Sequence, residues 1–174
     1  MHAGVISSIN TLSHLSLRVR CKKSFLPSLP MAGVIKVGSW GGNKGAHWDM
    51  GPASRITRVQ IYAGLIVDSI KVQYVVDGTH NETRRHGGSG GKPHQFQLRE
   101  REYIKCISGH VKDFGGTRCV SQLTFVTNLR KTHGPFGQGG GVAFSVPVAE
   151  GRIIGFFGNA EKYLNALGIY LKPN

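Results

Sequence analysis

Carboxylates are what this 174-residue chain has least of. Nine Asp and Glu stand against 22 Lys and Arg, and the first acid is Asp49. So few acids nominate no pair for general acid/base work, and no Gly-x-Ser-x-Gly elbow seats a nucleophile, so the chain does not read as an enzyme. Cysteine is nearly as scarce. Cys21, Cys106 and Cys119 are odd in number, lack metal-type spacing and follow nothing resembling a secretory signal. Cys106 and Cys119 are expected inside strands as small buried hydrophobes, and a bridge between them would need an oxidising compartment. No apolar run approaches the roughly 20 residues of a bilayer span, so no membrane partner is expected. Eight histidines include no helical pair and no Cys/His finger spacing, so no metal and no cofactor is expected. Ser89-Gly90-Gly91-Lys92 is not a phosphate loop, because His86 occupies the position of the first glycine and Pro93 that of the magnesium-binding hydroxyl.

Glycine and basic charge are abundant instead. The formal charge of +13 makes any polyanion an electrostatic candidate. The basic residues are nevertheless dispersed singly, as at Arg55, Arg58, Lys71, Arg99, Arg101, Lys105 and Arg118, without the interleaved aromatics of an RNA-recognition surface. A solvated strand face explains them better than a nucleic-acid partner. The 25 glycines have no collagen period and mark tight turns. Between those turns the apolar period is two, as in Ile56-Thr57-Arg58-Val59-Gln60-Ile61-Tyr62, Ile70-Lys71-Val72-Gln73-Tyr74-Val75 and Gln122-Leu123-Thr124-Phe125. Gly-rich bends recur at Gly41-Gly42-Asn43-Lys44-Gly45, His86 to Gly91, Phe114-Gly115-Gly116 and Gln138 to Gly141. Eleven or twelve short antiparallel strands and no helix are expected, giving an all-β sandwich, barrel or prism. Residues 1–30 carry four basic residues and no acid. They read as a disordered or targeting-like extension, with Pro27 and Pro30 marking its boundary with a domain over residues 31–174. The expected compartment is the cytoplasm, or a plastid if residues 1–30 act as a transit peptide.

The order Trp40-Gly41-Gly42-Asn43-Lys44-Gly45, Trp48-Asp49, Glu102-Tyr103-Ile104, Leu123-Thr124-Phe125, Gly134-Pro135-Phe136-Gly137, Gly155-Phe156-Phe157-Gly158 and Leu167-Gly168-Ile169-Tyr170 resembles the jacalin-related plant lectins over residues 33–172. The resemblance implies a β-prism of three four-stranded Greek-key sheets about a pseudo-threefold axis. It also implies metal-independent binding of mannose- or glucose-type glycans, a homo-oligomer and no catalysis. The family's sugar loop, Gly-x-x-x-Asp before the last strand, maps to Glu161-Lys162-Tyr163-Leu164-Asn165. Site residues carried over are Gly45 in the first loop, the N–H groups of Lys162 and Tyr163, the side chain of Asn165, and Thr117 in a third wall. Three positions depart from the pattern: Lys44 replaces a glycine, Glu161 the motif glycine and Asn165 the motif aspartate. An amide in place of a carboxylate forfeits about 1–2 kcal/mol of charge-assisted hydrogen bonding. A left-handed backbone at Glu161 would add about 1–2 kcal/mol of strain. Two rival readings therefore accompany the lectin: a prism that docks a protein and no longer binds sugar, and a basic module for anionic polysaccharide.

Overall fold

The computed structural model describes residues 33–174, so the extension at residues 1–30 and Cys21 lie outside the described residues. Among the described residues there are thirteen strands and no helix. They are β1 Ile35–Gly41, β2 Ala46–Asp49, β3 Arg55–Ala63, β4 Val67–Val76, β5 Thr79–Glu82, β6 His86–Gly87, β7 Lys92–Gln97, β8 Ile104–Phe114, β9 Thr117–Thr127, β10 Thr132–Phe136, β11 Val142–Pro147, β12 Arg152–Ala160 and β13 Leu164–Lys172. The thirteenth arises because one edge strand is broken. Residues β5 and β6 both pair with β4, and between them Thr83 takes over the ladder, its N–H donating to Val72 O (2.9 Å) and its Oγ1 accepting from Val72 N–H (3.0 Å).

Every pairing is antiparallel, and the strands fall into three similar sheets. Their orders are β1-β13-β12-β2, β5/β6-β4-β3-β7 and β11-β8-β9-β10, and a single pair, Ile153 with Ile104, joins the first to the third. Each sheet is a central hairpin flanked by two strands. The chain passes from one flank to the other through a five-residue strap that crosses the hairpin near its tip: Gly41–Gly45 over β12–β13, Gly87–Gly91 over β3–β4, and Gly137–Gly141 over β8–β9. This is the β-prism with internal threefold repetition.

Alternation fills the interior between the sheets. From Val59 onward in β3 and from Ser121 onward in β9 every second residue is buried, including Val59, Ile61, Leu123 and Phe125, and these meet Phe96, Phe156, Leu164 and Leu167 in one core. β12 and β13 depart from the alternation: six consecutive residues of each are buried. The outer face of their hairpin is covered locally. The Phe157 ring lies over Gly168, where a Cβ would come within 2.2 Å of it, and the Tyr170 ring lies beside Gly155. Lys36 Nζ caps Phe157 at 4.1 Å from the ring centre and pairs with Asp49 at 2.7 Å.

Cys106 and Cys119 are both free thiols. Cys106 faces Val126 and Cys119 faces Lys112, which sets them six residues apart along the β8–β9 ladder, about 20 Å at strand rise and beyond any disulfide.

One buried carboxylate closes the pole opposite the straps. The Glu102 side chain is sealed from solvent, although it lies only shallowly beneath the surface. It accepts from Thr127 Oγ1 (3.0 Å), Lys131 Nζ (3.2 Å) and Arg99 N–H (3.3 Å). Burial pushes its pKa up; these donors outweigh burial and hold it below the ordinary glutamate value. A lowered carboxylate pKa stabilises the fold above the ordinary value, and that contribution is lost as pH falls through the folded one. Lys131 is 40% exposed, so its share is reduced to about 1 kcal/mol. Lys131→Met is therefore expected to lower the melting temperature at pH 7 by about 2–4 °C, with the difference vanishing in acid once Glu102 is protonated. A pH series of thermal melts checks this.

Candidate functional site

The straps press backbone against backbone, and that contact builds the site. In the first sheet Gly42 N–H donates to Asn165 O at 2.8 Å; in the second Gly88 N–H donates to Asp68 O at 3.0 Å. A Cβ on Gly41 would lie 2.0 Å from Asn165 O, and one on Gly87 would lie 2.1 Å from Asp68 O. Only glycine allows so close an approach, and both positions also hold positive φ. The far end of each strap repeats the arrangement, with Gly45 against Ala160 and Gly91 against Ala63. The two hairpin tips correspond in turn. Glu161 N–H donates to Tyr163 O at 3.1 Å, and Gly64 N–H donates to Ile66 O at 2.9 Å. Ala160 to Asn165 and Ala63 to Asp68 each span five steps, so Glu161-Lys162-Tyr163-Leu164-Asn165 and Gly64-Leu65-Ile66-Val67-Asp68 are equivalent loops. In the third sheet the strap crosses at Val111 and Ser121, ten steps apart, and the longer β8–β9 tip leans over the first loop.

All five residues carried over from the sequence lie around that first loop. Asn165 is fully buried; its Nδ2 donates to Thr117 Oγ1 at 3.0 Å and to Arg118 O at 3.4 Å, while its Oδ1 is buried without a partner. Tyr163 packs edge-on against Phe114, ring centres 5.5 Å apart, and its hydroxyl lies over Gly115. Lys44 Nζ donates to Gly116 O at 3.2 Å, so its side chain ties the first strap to the β8–β9 tip. The N–H groups of Lys162 and Tyr163 are not used within the turn and remain available as donors. One expectation is corrected. Glu161 does not hold a left-handed backbone: among the described non-glycine residues only Asp77 and Arg130 have positive φ. What sets it apart from the second loop is its side chain. At the equivalent Gly64 a Cβ would meet nothing closer than Gly91 Cα at 3.9 Å, whereas Glu161 carries a whole side chain out of the same position of its turn.

The second loop has what the first has lost, and it was legible as a second Gly-x-x-x-Asp at Gly64–Asp68, followed by Gly90-Gly91 where the first strap has Lys44-Gly45. The Asp68 carboxylate lies against the backbone of Gly90 and Gly91, where a Cβ would approach it to 2.5 and 2.6 Å, and it accepts no hydrogen bond from any described side chain. Arg85 anchors its surroundings, donating to Ser69 Oγ (2.5 Å) and Gly90 O (3.1 Å) with its guanidinium 3.5 Å from the centre of the Tyr62 ring. Burial pushes the Asp68 pKa above the ordinary aspartate value, with the charge of Arg85 acting against it. The N–H groups of Leu65 and Ile66 are likewise unused in the turn, and Leu65 is an exposed aliphatic at its tip. Asp68 thus joins a half-exposed carboxylate to two backbone donors and a glycine-lined floor, an arrangement that can accept and donate to neighbouring hydroxyls without a metal. The third sheet has Ser121 at this position, its Oγ donating to Gly140 O at 2.9 Å and Lys112 Nζ donating to Gly139 O at 3.0 Å, so its strap is closed by its own side chains.

The jacalin-like lectin domain matches residues 37–170. The chain belongs to that family. It is 38% identical over 149 residues to horcolin of Hordeum vulgare, covering 82% of this chain and all of that one. It is 35% identical over 151 residues to a mannose/glucose-specific lectin of Parkia platycephala, of which this chain spans 33%. Among solved structures it is similar to wild-type Malaysian banana lectin, with 49% identity, a TM-score of 0.78 and coverage of 82% and 100% of the two chains. A mannose-binding jacalin-related lectin from Ananas comosus is 40% identical with the same TM-score, 0.78, and the same coverage, 82% and 100%.

A carboxylate whose folded pKa is raised costs stability when ionised, and that cost is relieved as pH falls below its folded value. Asp68→Asn is therefore expected to melt no lower than the unsubstituted lectin domain at pH 7, and the two should converge in acid. A lower melting temperature for the variant at neutral pH would make Asp68 a structural residue.

Proposed function

We propose that this chain is a lectin for mannose- and glucose-type glycans and that its principal sugar loop is Gly64–Asp68, with the Glu161–Asn165 loop as an altered counterpart. The observation that carries this reading is the Asp68 carboxylate, half-exposed and without a described side-chain donor, beside two unused N–H groups. The Parkia and Ananas relatives, whose names specify mannose, support the sugar class. A monosaccharide site starts near millimolar affinity, about −4 kcal/mol. A carboxylate acceptor contributes about 1.5–3 kcal/mol against about 0.5–1.5 for a neutral one, so this one group decides whether a loop binds measurably. Asn165 has an amide, is covered by Thr117, and offers only its unpartnered Oδ1. Association of several copies would then supply avidity that no single shallow site has.

Amide-resolved NMR during titration with methyl α-mannoside tests the assignment. The largest shifts are expected at Leu65, Ile66, Gly90 and Gly91. They should weaken about tenfold or more in Asp68→Ala and persist in Asn165→Ala. Shifts confined to Lys162 and Tyr163 that survive Asp68→Ala would return the site to the first loop. No shift at any sugar concentration would favour the protein-docking module.

A further inference from the structure

A second kind of site lies at the opposite pole, where β3 and β12 begin and the β7–β8 connection crosses. A pocket of 230 Å³ opens there. Its floor is apolar, made by Ile56, Leu98, Ile153 and Ile154, each no more than 7% exposed. Its walls carry Arg55, Arg101 and Arg152. None of these three guanidinium groups forms an ion pair or a side-chain hydrogen bond among the described residues. Two carboxylates also line the pocket, but Glu102 is already neutralised by Lys131 at 3.2 Å, which leaves Glu100 alone against three cations. Unpaired arginines around an apolar floor are what a carboxylate or phosphate attached to an apolar body requires: the fork geometry of a guanidinium binds the oxygens in pairs while the floor takes the hydrocarbon.

We propose that this pocket binds a small organic anion, an aryl or short alkyl group bearing a carboxylate or phosphate, independently of the sugar loops. Size sets the class. An apolar cavity of about 150 Å³ holds benzene, and drug-sized ligands need about 300 Å³ or more, so 230 Å³ suits one ring or its aliphatic equivalent with its charged group at the mouth. Residues 1–48 contain no acid and so bring no carboxylate of their own to these arginines.

Phenyl phosphate, inorganic phosphate and benzyl alcohol, titrated separately into the full chain and followed by amide NMR, separate the contributions. Phenyl phosphate should bind saturably with shifts at Leu98, Ile153 and Ile154, and each of the other two should bind about tenfold more weakly or worse. Arg55→Gln with Arg152→Gln should remove saturable binding while leaving the methyl α-mannoside shifts unchanged. If that pair of substitutions lowers stability, Arg101→Gln, an exposed position, should still weaken binding severalfold. Equal affinity for inorganic phosphate, shifts scattered over the basic surface, or unchanged binding in the arginine variants would overturn the proposal. Because mannoside is titrated in parallel, failure here is distinguishable from failure of the sugar loops.

Discussion

The contact between each strap and the hairpin it crosses constrains everything else in this domain. A strand that leaves one flank of a hairpin and returns on the other must pass over its tip, and it can do so only where its Cα atoms touch the hairpin's carbonyls. Gly41 and Gly87 make that passage with φ of +134° and +116°, and any side chain there would intersect a peptide bond. Crossing so closely aligns the strap's N–H groups with the hairpin turn, at Gly42 on Asn165 and Gly88 on Asp68. In the first two sheets the contact that closes the sheet therefore also places a pair of unused turn amides beside a fixed side chain. The geometry of the candidate sites follows from the way the chain turns back.

The three copies have diverged on that common frame in physically distinct ways. The second keeps a carboxylate, a bare glycine turn and an open floor, at the expense of partly desolvating Asp68. The first is tied together by its own side chains: its amide, Lys44 and Tyr163 all bond or pack toward the overhanging β8–β9 tip. The third has a hairpin tip five residues longer than theirs, and the surplus forms the wall that covers the first. The Gly88 backbone packs on the Lys162 carbonyl, so the first and second sites are immediate neighbours.

Much of this was legible in the residues. Period-two alternation in β3, β4 and β9 marked half-buried strands, and the Gly-rich bends marked the straps. The buried run of β12 and β13 was not readable as to its outer face, because what covers it is Phe157 lying on Gly168 across a register that only folding sets. That Gly45, Thr117, Lys162, Tyr163 and Asn165 lie around one loop followed from the motif order, but the state of Asn165 did not. Whether an amide faces solvent or a threonine hydroxyl depends on the length of a hairpin about 48 residues earlier in the chain. The Gly64–Asp68 loop carried a readable signal. It lies between two clear strands, where attention falls on the periodicity and a short turn passes as mere connection. The pole with its three arginines gave none, since Arg55, Arg101 and Arg152 come together only through topology.

The central claim is that the working sugar loop has moved from the first sheet to the second. The most direct measurement is a crystal structure of the domain with an α-mannoside at saturating concentration. The account predicts sugar at the β3–β4 tip, with two hydroxyl oxygens about 2.5–3.0 Å from the Asp68 carboxylate and the Leu65 and Ile66 N–H groups donating to the ring side. Sugar bound only beside Lys162 and Asn165, with the Asp68 loop empty, would contradict it.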